Sequence, residues 1–312
     1  MITGASGFMG RYLADRYRDA GRDAVTVGRT GSHIGWDDAD ALRDAVDGAS
    51  LVIGLAGKSV NCRYTAANRA EIMRSRVVAT QRLSRAIAAA TDPPPVWLNA
   101  STATIYRHAD DRPMTEADGE IGSGFSVDVA QAWEEALFRE DLPRTRRVAL
   151  RTAIVLGHGG VLPTIRGLAR LGLGGSQLDG RWPSSRGRQR AGTAHRFAAR
   201  GGSQRFSWVH IEDAAQAIDF LEQHAELDGA VNLSAPNPVD NRTFMRTVRR
   251  VLGVPIGPPL PRWIQEVGAI AIRTETELVL KSRWVLPERL ERAGFAFRYP
   301  ELEPALREAY SR

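Results

Sequence analysis

The chain opens with Ile2-Thr3-Gly4-Ala5-Ser6-Gly7-Phe8-Met9-Gly10-Arg11-Tyr12, three glycines set three residues apart between an apolar start and a stretch of helical spacing. At a strand-to-helix turn such a loop lets backbone N–H groups and a helix N-terminus approach a pyrophosphate. The glycines supply the tight turn, the close approach and the helix–strand packing. The spacing is G-x-x-G-x-x-G, not G-x-G-x-x-G, so the loop takes its meaning from its setting. Only Met1, Ile2 and Thr3 precede Gly4. A usual strand has about 5–6 residues, which predicts an in-frame apolar run encoded upstream of Met1.

The setting is a repeated β/α rhythm. Apolar runs at Met1–Thr3, Ala24–Gly28, Leu51–Leu55, Val96–Ala100, Val148–Val155 and Val231–Ser234 read as strands. Segments at Tyr12–Ala20, Ala39–Val46, Ala66–Ala90 and Val127–Arg139 carry helical spacing with few breakers. Pro93-Pro94-Pro95 stops the third helix and extends the chain into the next strand. This alternation predicts an α/β fold built on a parallel sheet with crossover helices. Residues 1–217 are expected to form the nucleotide-binding domain and residues 260–309 a small C-terminal domain.

The 312 residues suffice for a large core, and their composition is that of a folded globular protein. No run reaches the length of a membrane span and no signal peptide opens the chain, which points to the cytoplasm. A lone cysteine, Cys62, excludes internal disulfides, and six scattered histidines lack metal-ligand spacing, so no metal is expected. Of the 42 basic residues only Lys58 and Lys281 are lysines, so lysine-based catalysis has two possible positions. Seven arginines and no acid fall within 181–205. They carry more charge than the net +6, so the basic balance describes this tract and not the whole chain. General nucleic-acid affinity is therefore unexpected, and no aromatic platform accompanies the tract.

The end of the second strand selects between dinucleotides, because an acid there binds the NAD ribose and an arginine the NADP phosphate. The strand ends Val27-Gly28-Arg29-Thr30, with no acid before Asp37. Arg29 predicts NADP(H).

Taken together, several segments make the chain resemble the short-chain dehydrogenase/reductase superfamily. They include Gly4–Gly10, Leu55-Ala56-Gly57, Ser75-Arg76, Ala100-Ser101 with Tyr106, Trp133-Glu134-Glu135, Arg151–Gly157, Phe206–Asp213, Val285-Leu286-Pro287 and Ala293–Pro300. More narrowly, it resembles the NAD-dependent epimerase-like family that ends in a C-terminal domain of unknown function, sometimes given a cell-division-inhibitor label. The resemblance implies cofactor contacts at Gly4, Ser6, Gly7, Phe8, Met9 and Gly10, at Gly28 and Arg29, at Leu55, Ala56 and Gly57, and at Glu71 and Arg76. It also places Val155 near the nicotinamide and implies a Rossmann fold, a doubly wound parallel sheet with a smaller, mostly helical substrate-side lobe. Against the family pattern, 181–205 looks like an insertion. A solvated loop, a lid over an anionic substrate and a weak nucleic-acid surface all fit it.

Such dehydrogenases use a Tyr-x-x-x-Lys pair, the lysine lowering the tyrosine pKa. Here Gly54 precedes Lys58 and Glu277 precedes Lys281 by four residues, so the pair is absent. Ser126 and Ala130 stand where it would sit. Ser101, closing the fourth strand, and Tyr106 remain as candidates: Ser101 to orient a carbonyl and Tyr106 to supply the proton. Ser101 lacks a G-x-S-x-G elbow, which argues against acyl transfer. His210 and Asp213 open a helix, where Asp213 fits as a structural charge. The sequence thus points to an NADP(H)-binding oxidoreductase or epimerase-like enzyme for a small carbonyl or hydroxyl substrate, anionic compounds included. The alternative is a non-catalytic NADP(H)-binding scaffold or redox sensor.

Overall fold

The computed structural model describes residues 1–195, 197 and 199–311. Its centre is a seven-stranded parallel sheet built from β1 (Ile2–Thr3), β2 (Thr26–Gly28), β3 (Ile34–Gly35), β4 (Val52–Gly54), β5 (Val96–Thr102), β6 (Arg146–Thr152) and, after three strands of smaller sheets, β10 (Gly229–Leu233). The strand order is β10-β6-β5-β4-β1-β2-β3. Ile2 of β1 is in register with Thr26 on one side and Ile53 on the other. The order therefore reverses at β1 and β4, the switch point at which open α/β sheets bind ligands.

Alternate residues of each strand serve opposite faces of the sheet. Ile53, Leu98 and Leu150 pack with Leu13 and Tyr17 of helix α1 (Phe8–Asp19) and Ile218 of α7 (Ile211–Gln223). Their neighbours Val52, Trp97 and Ala149 face Leu42 of α2 (Ala39–Val46), Leu83 and Ile87 of α3 (Ala66–Ala89) and Leu137 of α4 (Phe125–Phe138). Both faces are covered, which is why the strands read as continuous apolar runs. Side chains set the helix starts: Asp38 accepts from the Ala41 N–H and Thr65 from that of Asn68.

The expected strand Val148–Val155 divides at Ala153, whose N–H bonds Leu233 O at 3.0 Å. Beyond it, β7 (Ile154–Leu156) leaves the main sheet and pairs with β9 (Trp208–His210). A second short pair joins β8 (Arg205–Phe206) to β11 (Val239–Asp240). These pieces form the base of the later lobe. Its core joins Trp208, Phe244 and Val248 to Leu302 and Leu306 of the final helix. His210, not Asp213, caps α7. The buried Asp213 carboxylate instead accepts the N–H groups of Arg298 (2.7 Å) and Tyr299 (3.0 Å), tying the C-terminal segment to the sheet domain.

Most described residues of 181–190 are exposed, but the tract is anchored at Arg188 and Gly192. Arg188 donates to Glu275 at 3.2 Å, and Gly192 O accepts the first N–H of α4, from Phe125, at 3.1 Å. Beside it Arg262 pairs with Asp179 (2.7 Å) and Glu266 (2.6 Å), and burial beside Arg262 pulls His195 down to about 4. Arg196 of this tract lies outside the described residues. Among the described residues, no helix is long and apolar enough to cross a membrane.

Asp213→Ala leaves two part-buried N–H groups without their acceptor. Denaturant unfolding should show a loss of about 2–4 kcal/mol, since each orphaned group costs about 1–3 kcal/mol. A loss below about 0.5 kcal/mol would mean that the tail is held by other contacts.

Candidate functional site

Two adjoining cavities open at the C-terminal ends of β1, β4 and β5, sharing Gly4, Gly7 and Leu55 in their walls. The inner one, about 290 Å³, is lined by the glycine loop, Tyr64, Arg76, Ser101, Thr104, Ser126, Trp133 and Leu278 among others. The outer one, about 380 Å³, runs past Ser6, Ala56, Gly57 and Glu71 to Gly28, Arg29, Trp36 and the basic side chains of Lys58, Arg74 and Arg82.

Backbone proximity builds the junction. Gly4 has φ +68°, and a Cβ there would lie 2.7 Å from the Leu55 carbonyl. A Cβ on Gly10 would lie 2.3 Å from Gly4 O, so only glycine lets α1 approach β1 this closely. The first-turn N–H groups of α1, on Phe8, Met9 and Gly10, have no acceptor within the helix and stand at the cavity wall with the positive end of its dipole. This loop and its free donors fit a pyrophosphate. Arg76 faces the same space. It donates to Lys58 O and Ile72 O at 3.0 Å and lies over Trp133, 4.9 Å from the ring centre. Burial pulls Arg76 down to about 10, and among the described residues no carboxylate lies within ion-pair distance.

The inner wall hides a polar chain. Ser101 Oγ donates to Glu134 Oε1 at 2.6 Å, and the Glu134 carboxylate receives two parallel bonds from Arg151, Nε at 2.9 Å and Nη2 at 2.8 Å. Arg151 Nη1 donates in turn to the Tyr106 hydroxyl (2.9 Å), which donates to Asn232 Oδ1 (2.8 Å). Tyr106 is thus 1% exposed, behind the wall, with its proton committed to Asn232 and its pKa raised by burial. Its place beneath the cavity corrects the expectation that it reaches a substrate: the short helical turn Ala103–Ile105 swings it inward.

A second polar group backs the wall from the C-terminal side. Lys281 Nζ donates to Thr104 O at 2.7 Å and Arg283 Nε to Thr104 Oγ1 at 3.0 Å. Ser126 Oγ donates to Glu277 at 3.1 Å, and Tyr64 N to Glu275 at 2.9 Å. Burial, with Arg283 nearby, pulls Lys281 down to about 8.

Gly4, Gly7, Phe8, Met9, Gly10, Leu55, Arg76 and Ser101 therefore line the inner cavity, and Ser6, Gly28, Arg29, Ala56, Gly57 and Glu71 the outer one. Val155 packs against the core of the sheet domain and lines neither. Sequence reasoning passed over Glu134, Tyr64, Thr104 and Arg283. The count of two lysines was the one signal toward this second group.

A doubly wound parallel sheet with a glycine loop at its switch point defines a dinucleotide-binding Rossmann protein. Residues 1–125 match the NAD dependent epimerase/dehydratase family, and residues 260–309 match a domain of unknown function, DUF1731. The chain is 28% identical to the epimerase family protein YfhF of Bacillus subtilis (98% of this chain, 95% of the relative). It is 29% identical to the epimerase family protein SDR39U1 of Bos taurus (99% and 98%). The crystal structure of human SDR39U1 (isoform 2) with NADPH superposes with a TM-score of 0.83 at 26% identity, covering 99% of this chain and 98% of that one. The chain is thus similar over nearly its whole length to proteins named as epimerase family proteins, and its N-terminal and C-terminal parts match the NAD dependent epimerase/dehydratase family and DUF1731.

Lys281 gives this site a pH signature. Its pKa lies near 8 when folded against the ordinary 10.5, so folding opposes its charge. That cost is fully present below pH 8 and vanishes above about pH 10.5. Lys281→Met should therefore gain stability relative to wild type near pH 7, with about 3 kcal/mol of the difference disappearing by pH 10.5. Parallel denaturation at both pH values measures it, and a pH-independent difference would contradict the burial.

Proposed function

We propose that the protein binds NADP(H) and acts as an oxidoreductase or epimerase-like enzyme on a small carbonyl or hydroxyl substrate. The observation that carries this reading is the continuous path from Arg29 at the end of β2, past the α1 amides, to Ser101 at the end of β5. Arg29 is exposed and, among the described residues, has no carboxylate within ion-pair distance. It is suited to a ribose 2′-phosphate. The human relative, crystallised with NADPH, supports the same choice.

Gly4–Gly10 and Arg76 would hold the pyrophosphate, Gly28 and Arg29 the adenosine phosphate, and Leu55–Gly57 with Glu71 the groove between. When bound, the cofactor supplies or accepts hydride. The chain itself handles the proton. Ser101 directs its hydrogen to Glu134, so its lone pairs are free to accept from a substrate hydroxyl. A proton arriving at Ser101 passes to Glu134, and the reverse path serves reduction. Arg151 and Tyr106 hold Glu134 in position. The unpaired charge of Arg76 favours an anionic substrate or the cofactor's own phosphates.

The missing Tyr-x-x-x-Lys pair keeps a second reading alive, a non-catalytic NADP(H) sensor. Decay of bound NADPH fluorescence on adding carbonyl compounds favours the enzyme, and its persistence favours the sensor.

Arg29→Ser should raise the Kd for NADPH about 10- to 100-fold, the worth of a charge-assisted hydrogen bond, and leave NADH within about twofold. Fluorescence titration measures both. Equal losses for the two cofactors would place the 2′-phosphate elsewhere.

A further inference from the structure

Four charged residues of the segment 275–283 reach the cavity wall from outside. Glu275 holds the Tyr64 N–H and Glu277 the Ser126 hydroxyl, while Lys281 and Arg283 both hold Thr104. This segment lies within the domain of unknown function. We propose that it completes the active site: Thr104, polarised by Arg283 and fixed by Lys281, donates the hydrogen bond to the reacting oxygen of the substrate. The proposal rests on the oxidoreductase reading above.

Hydrogen-bond direction is decisive. A guanidinium can only donate, so Thr104 Oγ1 is the acceptor in its 3.0 Å contact with Arg283. Its own proton has no other acceptor among the described residues and is left for the cavity that Thr104 lines. Ser101 is the opposite case: its proton goes to a buried carboxylate, so it accepts from the cavity. The two hydroxyls, at the end of β5 and on the turn that follows it, offer an acceptor and a donor to an alcohol, and Thr104 is the one that donates to a carbonyl oxygen.

The electrostatics agree. Lys281 and Arg283 are buried and, among the described residues, neither has a carboxylate within ion-pair distance. Arg283 also donates to Leu278 O at 2.9 Å, which fixes the guanidinium beside the cavity residue Leu278. The two cations outweigh the neighbouring Glu277, and Arg283, bonded to Thr104 Oγ1, favours negative charge growing on an oxygen bound at Thr104. A Tyr-x-x-x-Lys pair would supply both a donor and a positive charge; here they come from Thr104 and from a segment roughly 180 residues away. The proposal adds a hydrogen bond and no covalent step. Thr104 is the catalytic residue in it, and Arg283 and Lys281 are positioning residues.

The test uses the full-length protein with NADPH and isatin as the carbonyl probe, comparing wild type with Thr104→Val, Thr104→Ser and Arg283→Lys. Thr104→Val is isosteric and should fold, which melting curves check. We expect kcat for isatin to fall about 100-fold in Thr104→Val, as for loss of an oxyanion donor, with the NADPH Kd within about twofold. Thr104→Ser should recover kcat to within about threefold, and Arg283→Lys, which keeps charge but not the fork, should lose about tenfold. Tryptophan quenching by isatin on the NADP+ complex should weaken in the Val variant and recover in the Ser variant. Wild-type kcat in Thr104→Val, or failure of Ser to rescue it, overturns the proposal and leaves the proposed function standing. A wild type that binds NADPH but does not reduce isatin contradicts the oxidoreductase reading and this inference with it.

Discussion

The approach of Gly4 to Leu55 is the constraint on which the site depends. With a hypothetical Cβ only 2.7 Å from the neighbouring carbonyl, the tips of β1 and β4 leave no room for a side chain at the point where the sheet order reverses. Gly10 repeats the condition one helical turn later, bringing the amino end of α1 over the same point. A crevice floored by bare backbone and headed by a helix N-terminus is suited to phosphate, whatever else the fold does. The outer and inner cavities both border on this floor.

The inner half is distinguished by how its charges are arranged. Arg151 and Glu134 form a compact bidentate pair that fixes Ser101, whereas the buried Lys281 and Arg283 and the half-buried Arg76 have no ion-pair partner among the described residues. Leaving charge out of water without a counterion opposes folding, so such groups are poor devices for stability. Their position around one cavity fits a ligand or transition state that brings the missing negative charge. In the proposed mechanism the loss of the usual tyrosine–lysine pair is a redistribution, with acceptor, donor and cation drawn from β5, the turn that follows it and the C-terminal domain.

Much of the scaffold was legible in the sequence, because alternating apolar periods and the glycine spacing are local properties. The positions of β1, β2, β4 and β5, of α2 and of the loop Gly4–Gly10 follow from residues close together in the chain, whereas the two-residue β3 (Ile34–Gly35) is too short to stand out. What stayed hidden depends on distant partners. The split at Ala153 arises because β7 finds β9 and Leu233 O offers an acceptor. Tyr106 turns inward because Arg151 and Asn232, 45 and 126 residues away, meet its hydroxyl. Likewise nothing local to the arginine tract marks Arg188 as the one that Glu266 and Glu275 meet, while Arg181, Arg186, Arg190 and Arg200 stay exposed as a solvated run would. Spacing identified the cofactor groove, whereas the chemistry of its inner end required the third dimension.

The most direct test is a crystal structure of the protein grown with NADPH. The account predicts continuous density with the 2′-phosphate at Arg29, the pyrophosphate on the amides of Phe8–Gly10 and the nicotinamide ring beside Ser101 and Thr104. Density for the cofactor lying away from the glycine loop, or a nicotinamide ring turned out of the inner cavity with Thr104 and Ser101 bonded only to protein, would contradict it.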